Sequence, residues 1–146
     1  MCIRDRARLD VVQLHGDPAP ETVERVRAVT GALVWAVIRV RGTSLPHTLG
    51  ALDGVADAVL FDAYVSDRLG GSGVAFDWSV LTPEARPRRA RLIAAGGLTP
   101  ENVAEAIRAL APHVVDVSSG VEAAPGIKDH ARMQAFADAV RRQSER

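Results

Sequence analysis

Short apolar runs alternate with helix-patterned segments along most of this chain, and this alternation constrains the fold more than any other feature. Each run is short for a buried helix and ends in polar residues or glycine, which is typical of a buried β-strand. Strands that alternate with helices pair in parallel, so the pattern predicts an α/β protein. The predicted strands are Leu9–Gly16, Ala32–Val40, Ala56–Ala63, Ala90–Gly97 and His113–Gly120.

The segment after the first run carries the start and stop signals of a helix. Asp17 is the predicted N-cap, because its short side chain can accept a hydrogen bond from the first free backbone N–H groups. Val23, Val26 and Val29 follow at roughly helical spacing, and Gly31 is the predicted stop. We therefore expect a helix between the first two strands.

Later segments predict four more helices. A short one lies within Pro46–Gly54, and another opens near Asp77. The next has Thr99 as its N-cap and Pro100 at its first position, where proline is favoured. The final helix begins at Lys128, after a chain break at Pro125 and Gly126. The inward-facing side chains predicted for the last two helices are Val103, Ile107, Leu110, Met133, Phe136 and Val140.

The number of strand–helix units leaves two architectures open. The 146 residues contain no evident linker, low-complexity tract or second domain. Five strand–helix units are compatible with an open, doubly wound sheet. They are equally compatible with the last five units of an eight-stranded barrel, which would then be incomplete.

Composition excludes several classes of partner. The chain has 18 basic and 18 acidic residues, so neither nucleic acid nor an anionic membrane is an expected partner. Cys2 is the only cysteine, which rules out a disulfide within the chain and fits a reducing compartment such as the cytoplasm. No apolar stretch approaches the roughly 20 residues of a membrane span. The 4 histidines are scattered, so no metal site is predicted.

Polar residues and glycines gather where the predicted strands end. Active sites of α/β proteins form at the C-terminal edge of parallel strands, so this bias predicts a functional site there. The residues concerned are Gln13, His15, Gly16, Asp62, Gly96, Gly97, Asp116, Ser118, Ser119 and Gly120.

The stretches AAGG (94–97) and DVSSG (116–120) end the last two predicted strands. Glycine has no Cβ, so a phosphate can approach its backbone N–H closely, and serine hydroxyls add further donors. Barrels often bind phosphate at the loops after their last two strands. Either stretch alone is equally compatible with an ordinary strand–helix turn, but the pair in this order favours phosphate binding.

Asp62 is the predicted catalytic acid, because partial burial at a strand end would raise its pKa. A loop-ordering hydrogen bond is its alternative role. His15, on the same side of its strand as Gln13, is a candidate proton-transfer group, a candidate hydrogen-bond donor to the substrate, or a structural histidine. Asp116 either faces the site or orients its loop. A loop that either closes over a ligand or only connects two elements is predicted at Gly70, Gly71, Ser72 and Gly73.

Longer stretches of the chain resemble the phosphoribosylanthranilate isomerase family. In the family's order they are VVQLHGD, VLFDA, GGSGVAFDWS, AAGGLTPENVAEAI and VDVSSGVEAAPGIKDHARMQAF. The QLHG motif alone is weak evidence. The last three stretches together are highly specific, and the resemblance extends over residues 9–140.

The resemblance implies a (βα)8 barrel and an Amadori rearrangement in tryptophan biosynthesis. The substrate would be N-(5-phosphoribosyl)anthranilate, a small phosphosugar, and the product 1-(2-carboxyphenylamino)-1-deoxyribulose 5-phosphate. Asp62 stands at the family's general-acid position, and Gly96, Gly97 and Ser118–Gly120 stand at its phosphate-binding loops. No metal or organic cofactor is implied. The residues expected to line the same site are Gln13, His15 and Asp116.

The chain departs from the family pattern at its N-terminal side. The family's general base is a cysteine ending its first strand, and an arginine after its second strand helps hold the anthranilate carboxylate, but the match here begins at the fourth strand. Cys2 does not fill the gap, and residues 1–8 are expected to be a non-native or disordered leader. Residues 9–146 would then form an incomplete barrel, inactive alone and prone to self-association through its exposed edges.

Two other functions stay open. One is another phosphosugar-binding barrel enzyme, such as indole-glycerol-phosphate synthase or ribulose-phosphate epimerase. The lysines and glutamates that the first would need at strand ends, and the metal-binding residues that the second would need, are lacking. The other is a non-catalytic module that binds a phosphosugar without converting it.

Overall fold

The computed structural model describes residues 9–40, 48–63 and 86–144. The strands of its main sheet are β1 (Val11–Leu14), β2 (Leu33–Val40), β3 (Ala58–Ala63), β4 (Arg91–Ala95) and β5 (Val114–Val115). The helices are α1 (Pro20–Thr30), α2 (Leu49–Val55), α3 (Val103–Leu110) and α4 (His130–Ser144). An antiparallel hairpin of β6 (Glu122–Ala124) and β7 (Ile127–Lys128) precedes α4.

The strands of the main sheet lie side by side in chain order, and every neighbouring pair is parallel. A doubly wound sheet reverses its strand order at a switch point, and the described strands contain no reversal. In a (βα)8 barrel, by contrast, each strand pairs with the next one along the chain. The α/β prediction is confirmed, and the doubly wound alternative is wrong.

β2 is buried on both faces, which explains its nearly continuous apolar sequence. Val34, Ala36 and Ile38 belong to the core cluster under the helices, whereas Val37 belongs to a second cluster on the opposite face. We call that opposite face of the sheet the inner face. Its other buried members are Ala58, Leu60, Ile93 and Ala95.

Helix α1 begins at Pro20 and not directly after Asp17, so the predicted cap is wrong. Pro18 follows Asp17 and disfavours a helical backbone at the residue before it. Asp17 instead adopts a φ of 54°, and its carboxylate accepts a hydrogen bond from the Arg39 N–H at 2.8 Å. The predicted stop is confirmed, because Gly31 ends the helix with a φ of 62°.

Met133 was predicted to face inward but is exposed, and so is Val29, the last valine of the helical series in α1. Val29 of α1 is 81% exposed and Met133 of α4 is 46% exposed. The steps from Val26 to Val29 and from Met133 to Phe136 are three residues long, and each such step falls about 60° short of a full helical turn. A series at that spacing therefore rotates off the buried face. The residues of these two stripes that do reach the core are Val23, Val26, Phe136 and Val140.

Helix α3 begins at Val103, one turn later than predicted. Thr99 and Asn102 form a turn before it, in which the Asn102 side chain accepts the Thr99 N–H at 2.8 Å. Asparagine side chains that bond to nearby backbone compete with the helix in this way. The predicted inner stripe is confirmed, because Val103 and Leu110 are buried and Ile107 packs against the core.

The last predicted strand is much shorter than expected. β5 ends at Val115, and Ser118 has a ψ of −88°, outside the extended region. Consecutive serines and glycine favour turns over strands, and Ser119–Val121 accordingly forms a single 3₁₀ turn. The predicted chain break at Pro125 and Gly126 is the tip of the β6–β7 hairpin, where Gly126 has a φ of 78°.

Some predictions fall outside the described residues, namely the leader at 1–8 with Cys2 and the helix near Asp77. The short helix predicted within Pro46–Gly54 is α2, which starts at Leu49 and ends at Val55. In the described part of the chain, no helix has both the length and the apolar character to cross a membrane.

Two carboxylates tie the N-terminal ends of the strands to neighbouring elements. Asp57, directly before β3, accepts hydrogen bonds from the Arg27 guanidinium at 2.7 Å and the Val34 N–H at 2.8 Å. Asp53 of α2 accepts the backbone N–H groups of residues 88–90 at 2.8–2.9 Å. Burial alone would raise the pKa of each carboxyl, but these bonds outweigh it and hold both pKa values below the ordinary one.

Candidate functional site

The C-terminal ends of β1 to β5 share one edge of the main sheet, which we call the mouth. Leu14 packs into the helix-side core, so its neighbours Gln13 and His15 point to the inner face at the end of β1. Both side chains are exposed. The same alternation puts Asp116 on the inner face, because Val115 and Val117 pack on the helix side.

Asp62 reaches the mouth from the middle of the sheet. It shares the inner face with Ala58 and Leu60, whereas Phe61 is buried under the helices. Its register partner on β2 is Arg39. Arg39 also lies on the inner face, two residues after Val37, so a carboxyl and a guanidinium start from adjacent backbone positions.

The surroundings of Asp62 change its acidity. Partial burial is the largest influence and raises the pKa of Asp62. The charges of His15 and Arg39 act in the opposite direction, and the Asp116 carboxylate raises the pKa further. The pKa of Asp62 therefore lies above the ordinary value for an aspartate, which is the direction predicted from its position at a strand end. Charged groups from three other strand ends are therefore close enough to Asp62 to act on it electrostatically.

The first predicted phosphate loop, residues 96–99, follows β4. Gly96 and Gly97 have φ values of 77° and 65°, which turn the chain away from the strand and favour glycine. A Cβ placed on Gly97 would meet no atom within 4 Å, so its backbone is accessible from that side.

The second predicted phosphate loop, residues 118–120, lies against the first. A Cβ placed on Gly120 would overlap the carbonyl group of Leu98, so only glycine permits this contact. Within the described ranges, the backbone N–H groups of Gly97, Ser119 and Gly120 donate to no acceptor. The two loops thus bring unpaired backbone donors together at one end of the mouth.

The model of the N-(5'phosphoribosyl)anthranilate (PRA) isomerase family matches residues 3–139. The chain belongs to this family. The N-(5'-phosphoribosyl)anthranilate isomerase of Paramagnetospirillum magneticum is 46% identical to it over 139 residues, covering 93% of this chain and 64% of that protein.

Solved PRA isomerase structures match the fold as well. The enzyme from Thermotoga maritima superposes with a TM-score of 0.77 at 35% identity, covering 94% of this chain and 64% of that one. A second PRA isomerase structure, in complex with reduced 1-(o-carboxyphenylamino)-1-deoxyribulose 5-phosphate, superposes with a TM-score of 0.73 at 32% identity. The match covers 94% of this chain and 62% of that one. The fold is therefore of the α/β TIM-barrel type. The chain spans less than two thirds of the length of these relatives.

Three cations near the site, Arg39, Lys128 and Arg132, were not predicted from the sequence. Arg39 is the only charged residue in the run Ala32–Val40 and lies near its end, a signal that could have identified it. Lys128 and Arg132 bond to carbonyl groups of the second loop. No spacing in the sequence indicated those contacts, because they depend on how the hairpin folds back.

The remaining predicted site residues lie outside the residues that the structure describes. Gly70, Gly71, Ser72 and Gly73 belong to the undescribed stretch 64–85. In the ranges that the structure does describe, no group of three or more histidine, cysteine, aspartate or glutamate side chains could hold a metal ion.

Proposed function

We propose that this chain takes part in the isomerisation of N-(5-phosphoribosyl)anthranilate to 1-(2-carboxyphenylamino)-1-deoxyribulose 5-phosphate, a step of tryptophan biosynthesis. Family membership supplies the reaction. The observation that carries the proposal for this chain is Asp62, a carboxyl of raised pKa at the mouth, beside two touching loops with unpaired backbone donors.

Asp62 is the proposed general acid. It donates its proton to the ribose ring oxygen while the C1–O bond breaks, and the nitrogen lone pair forms a C1=N bond. Loss of the C2 proton to a base gives an enol, which takes a proton at C1 and loses its hydroxyl proton to become the ketone. The family resemblance assigns that base to a cysteine of the first barrel strand. A carboxyl whose pKa is raised by burial is a better proton donor for the first step than an ordinary aspartate would be.

The loops at 96–99 and 118–120 are the proposed phosphate site. The accessible Gly97 backbone and the N–H groups of Ser119 and Gly120 supply donors without a competing side chain. The Ser118 and Ser119 hydroxyls lie on the same loop. The residues proposed to line the rest of the substrate site are Gln13, His15 and Asp116.

We further propose that residues 9–146 form the last five units of an eight-unit barrel, with residues 1–8 as a non-native leader. The covered share of the relatives, 64%, is close to the roughly five eighths that five units would occupy. The strands also follow one another as barrel neighbours do. Sequencing the DNA upstream of codon 7 tests this. Three further strand–helix units in frame are expected, and an in-frame stop without them would refute it.

Self-association is a related proposal. β1 and β5 are the outermost strands of the described sheet, and open strand edges favour pairing with another chain. Light scattering over a range of concentrations should show a mass that rises with concentration, and a constant monomer mass would contradict self-association.

A cytoplasmic location is also proposed, because a chain with a single cysteine fits a reducing compartment.

The activity test compares two polypeptides: the 146-residue chain and the same chain extended upstream. The extended protein should convert N-(5-phosphoribosyl)anthranilate, its Asp62→Asn variant should not, and the 146-residue chain should show little or no turnover. Conversion that is unaffected by Asp62→Asn would refute the proposed acid. Binding of the phosphosugar by the extended protein without any turnover would instead favour a non-catalytic phosphate-binding module.

A further inference from the structure

Two cations bond to carbonyl groups of the loop at 118–120: Lys128, which ends β7, and Arg132, which lies in the first turn of α4. Lys128 Nζ donates to the Ser118 carbonyl oxygen at 2.9 Å and lies 3.4 Å from the Ser118 hydroxyl. Arg132 donates through Nε and Nη2 to the Gly120 carbonyl oxygen at 3.1 and 3.0 Å. The hairpin therefore returns the chain to the loop it has just left.

The Ser118 carbonyl accepts this short bond from Lys128 and a longer one from the Val121 N–H at 3.4 Å, and together they set the direction of a donor on the other side of the loop. In a planar trans peptide group the C=O and N–H bonds point in opposite directions. The Ser118 carbonyl and the Ser119 N–H belong to one such group, and this N–H has no acceptor among the described residues. Because the carbonyl points to Lys128, the Ser119 N–H points away from it.

Lys128 is itself anchored. Its Nζ forms an ion pair with Glu122 at 2.7 Å, and the same carboxylate accepts the Gly126 N–H at 3.2 Å. The hydrogen bond from Lys128 is the largest influence on Glu122 and holds the pKa of that carboxyl below its ordinary value. The Lys128 ammonium group is thus held between the Glu122 carboxylate and the Ser118 carbonyl, beside the loop.

We propose that Lys128 is a positioning residue, which orients the Ser119 N–H toward the phosphate group of the substrate without touching it. Arg132 anchors the other end of the loop and keeps Gly120 against Leu98. A cation on the carbonyl also polarises the peptide group and strengthens its N–H as a donor. The inference rests on the proposed phosphate site and adds how that site is held in shape.

Inorganic phosphate is the probe, and the backbone amide resonances of the 146-residue chain are the readout. Phosphate should shift the Ser119 and Gly120 amide signals. Lys128→Met should weaken phosphate binding about tenfold, the lower end of the loss seen when residues that orient the ligands of metal sites are removed, and should reduce the Ser119 shift at saturation. Lys128→Arg, which keeps a donor, should restore much of both. Arg132→Gln should also weaken binding.

Arg141→Met is the matched control, since Arg141 is an exposed cation of α4 that pairs with Asp138. Equal weakening by Lys128→Met and Arg141→Met would overturn the positioning role, because net charge would explain both. A full Ser119 shift at saturation in Lys128→Met would overturn it as well, as would a lower melting temperature with phosphate affinity unchanged. Absence of any phosphate response in the unaltered chain would overturn the proposed phosphate site itself, and with it this inference.

Discussion

Asp57 and Asp62 lie at opposite ends of β3, and the fold treats the two carboxyls in opposite ways. Asp57 precedes the strand and accepts hydrogen bonds from Arg27 and Val34, so its pKa is lowered. Asp62 lies near the C-terminal end at the mouth, where partial burial raises its pKa. Only four residues lie between a carboxylate whose pKa is lowered and a carboxyl whose pKa is raised.

This difference follows from what surrounds each end of a parallel strand. At the N-terminal end, Asp57 bonds the helix residue Arg27 and the neighbouring strand residue Val34, so its negative charge is compensated by groups already in place. At the mouth, His15 and Arg39 oppose but do not overcome the burial of Asp62. In barrels the C-terminal end carries catalysis and the other end stability. The proposed general acid Asp62 and the hydrogen-bonded Asp57 would follow that division at the two ends of β3.

The largest effect should come from Asp62→Asn in the upstream-extended protein. Removal of a general acid costs roughly 10²–10⁴-fold in rate, so kcat should fall within that range. Ionisation of a carboxyl whose pKa is raised by folding costs stability above that pKa, so the variant should be as stable as the parent or slightly more so near neutral pH. Steady-state assays measure the fall in kcat, and urea unfolding measures the change in stability. A stability loss with kcat retained would reverse the assignment of the two aspartates.

Gly120→Ala should have the next largest effect. Its Cβ would overlap the Leu98 carbonyl, so the two loops must separate and phosphate affinity should fall at least tenfold, with a stability loss of about 1–3 kcal/mol from overpacking. Gly97→Ala is the matched variant, because its Cβ meets open space and only the positive φ is strained, at about 1–2 kcal/mol. Phosphate titration and thermal melting measure both. Equal loss of phosphate affinity in the two variants would show that contact between the loops is unimportant.

Asp57→Asn should affect stability and leave the mouth intact. Loss of the charged acceptor for Arg27 should cost about 1–2 kcal/mol in the free energy of unfolding, a reduced figure because both side chains are partly exposed. The folded pKa lies below the unfolded one, so the parent gains this stability above the unfolded pKa and loses it as pH falls through the folded pKa. Urea unfolding between pH 7 and 3 should show a smaller acid loss in the variant. An unchanged acid loss would contradict the role of Asp57.

The fold was largely predictable because strand and helix periods are local properties of the sequence. The nearly continuous apolar run of β2 and the stripe of Val103, Ile107 and Leu110 were interpreted correctly for that reason. The errors arose where a contact distant in sequence decides the conformation. Asp17 bonds Arg39 across two elements instead of capping α1, and β5 stops at Val115 where its serine- and glycine-rich continuation turns.

Site residues could be predicted from the sequence only where they follow the apolar run of a strand. Asp62, Asp116 and His15 end apolar runs, so their convergence followed from parallel pairing. Lys128 and Arg132 could not be found, because a hairpin has to fold back before either meets the second loop. The roles of the predicted site residues stay predictions until variants are measured.

The smallest effects should come from charges that adjust Asp62 without replacing it. Arg39 lowers its pKa and Asp116 raises it, while His15 also lowers it. Arg39→Gln should therefore raise the pKa of Asp62, and Asp116→Asn should lower it. Because a general acid acts when protonated, the alkaline fall of kcat/KM should move to higher pH in the first variant and to lower pH in the second. Carbon NMR of the Asp62 carboxyl measures the same pKa shifts directly, even where turnover is absent.

Shifts of the Asp62 pKa in the same direction in both variants would mean that the mouth reorganises when either charge is lost. Opposite shifts at Asp62, with none at Asp57, would show that the two ends of β3 are electrostatically independent.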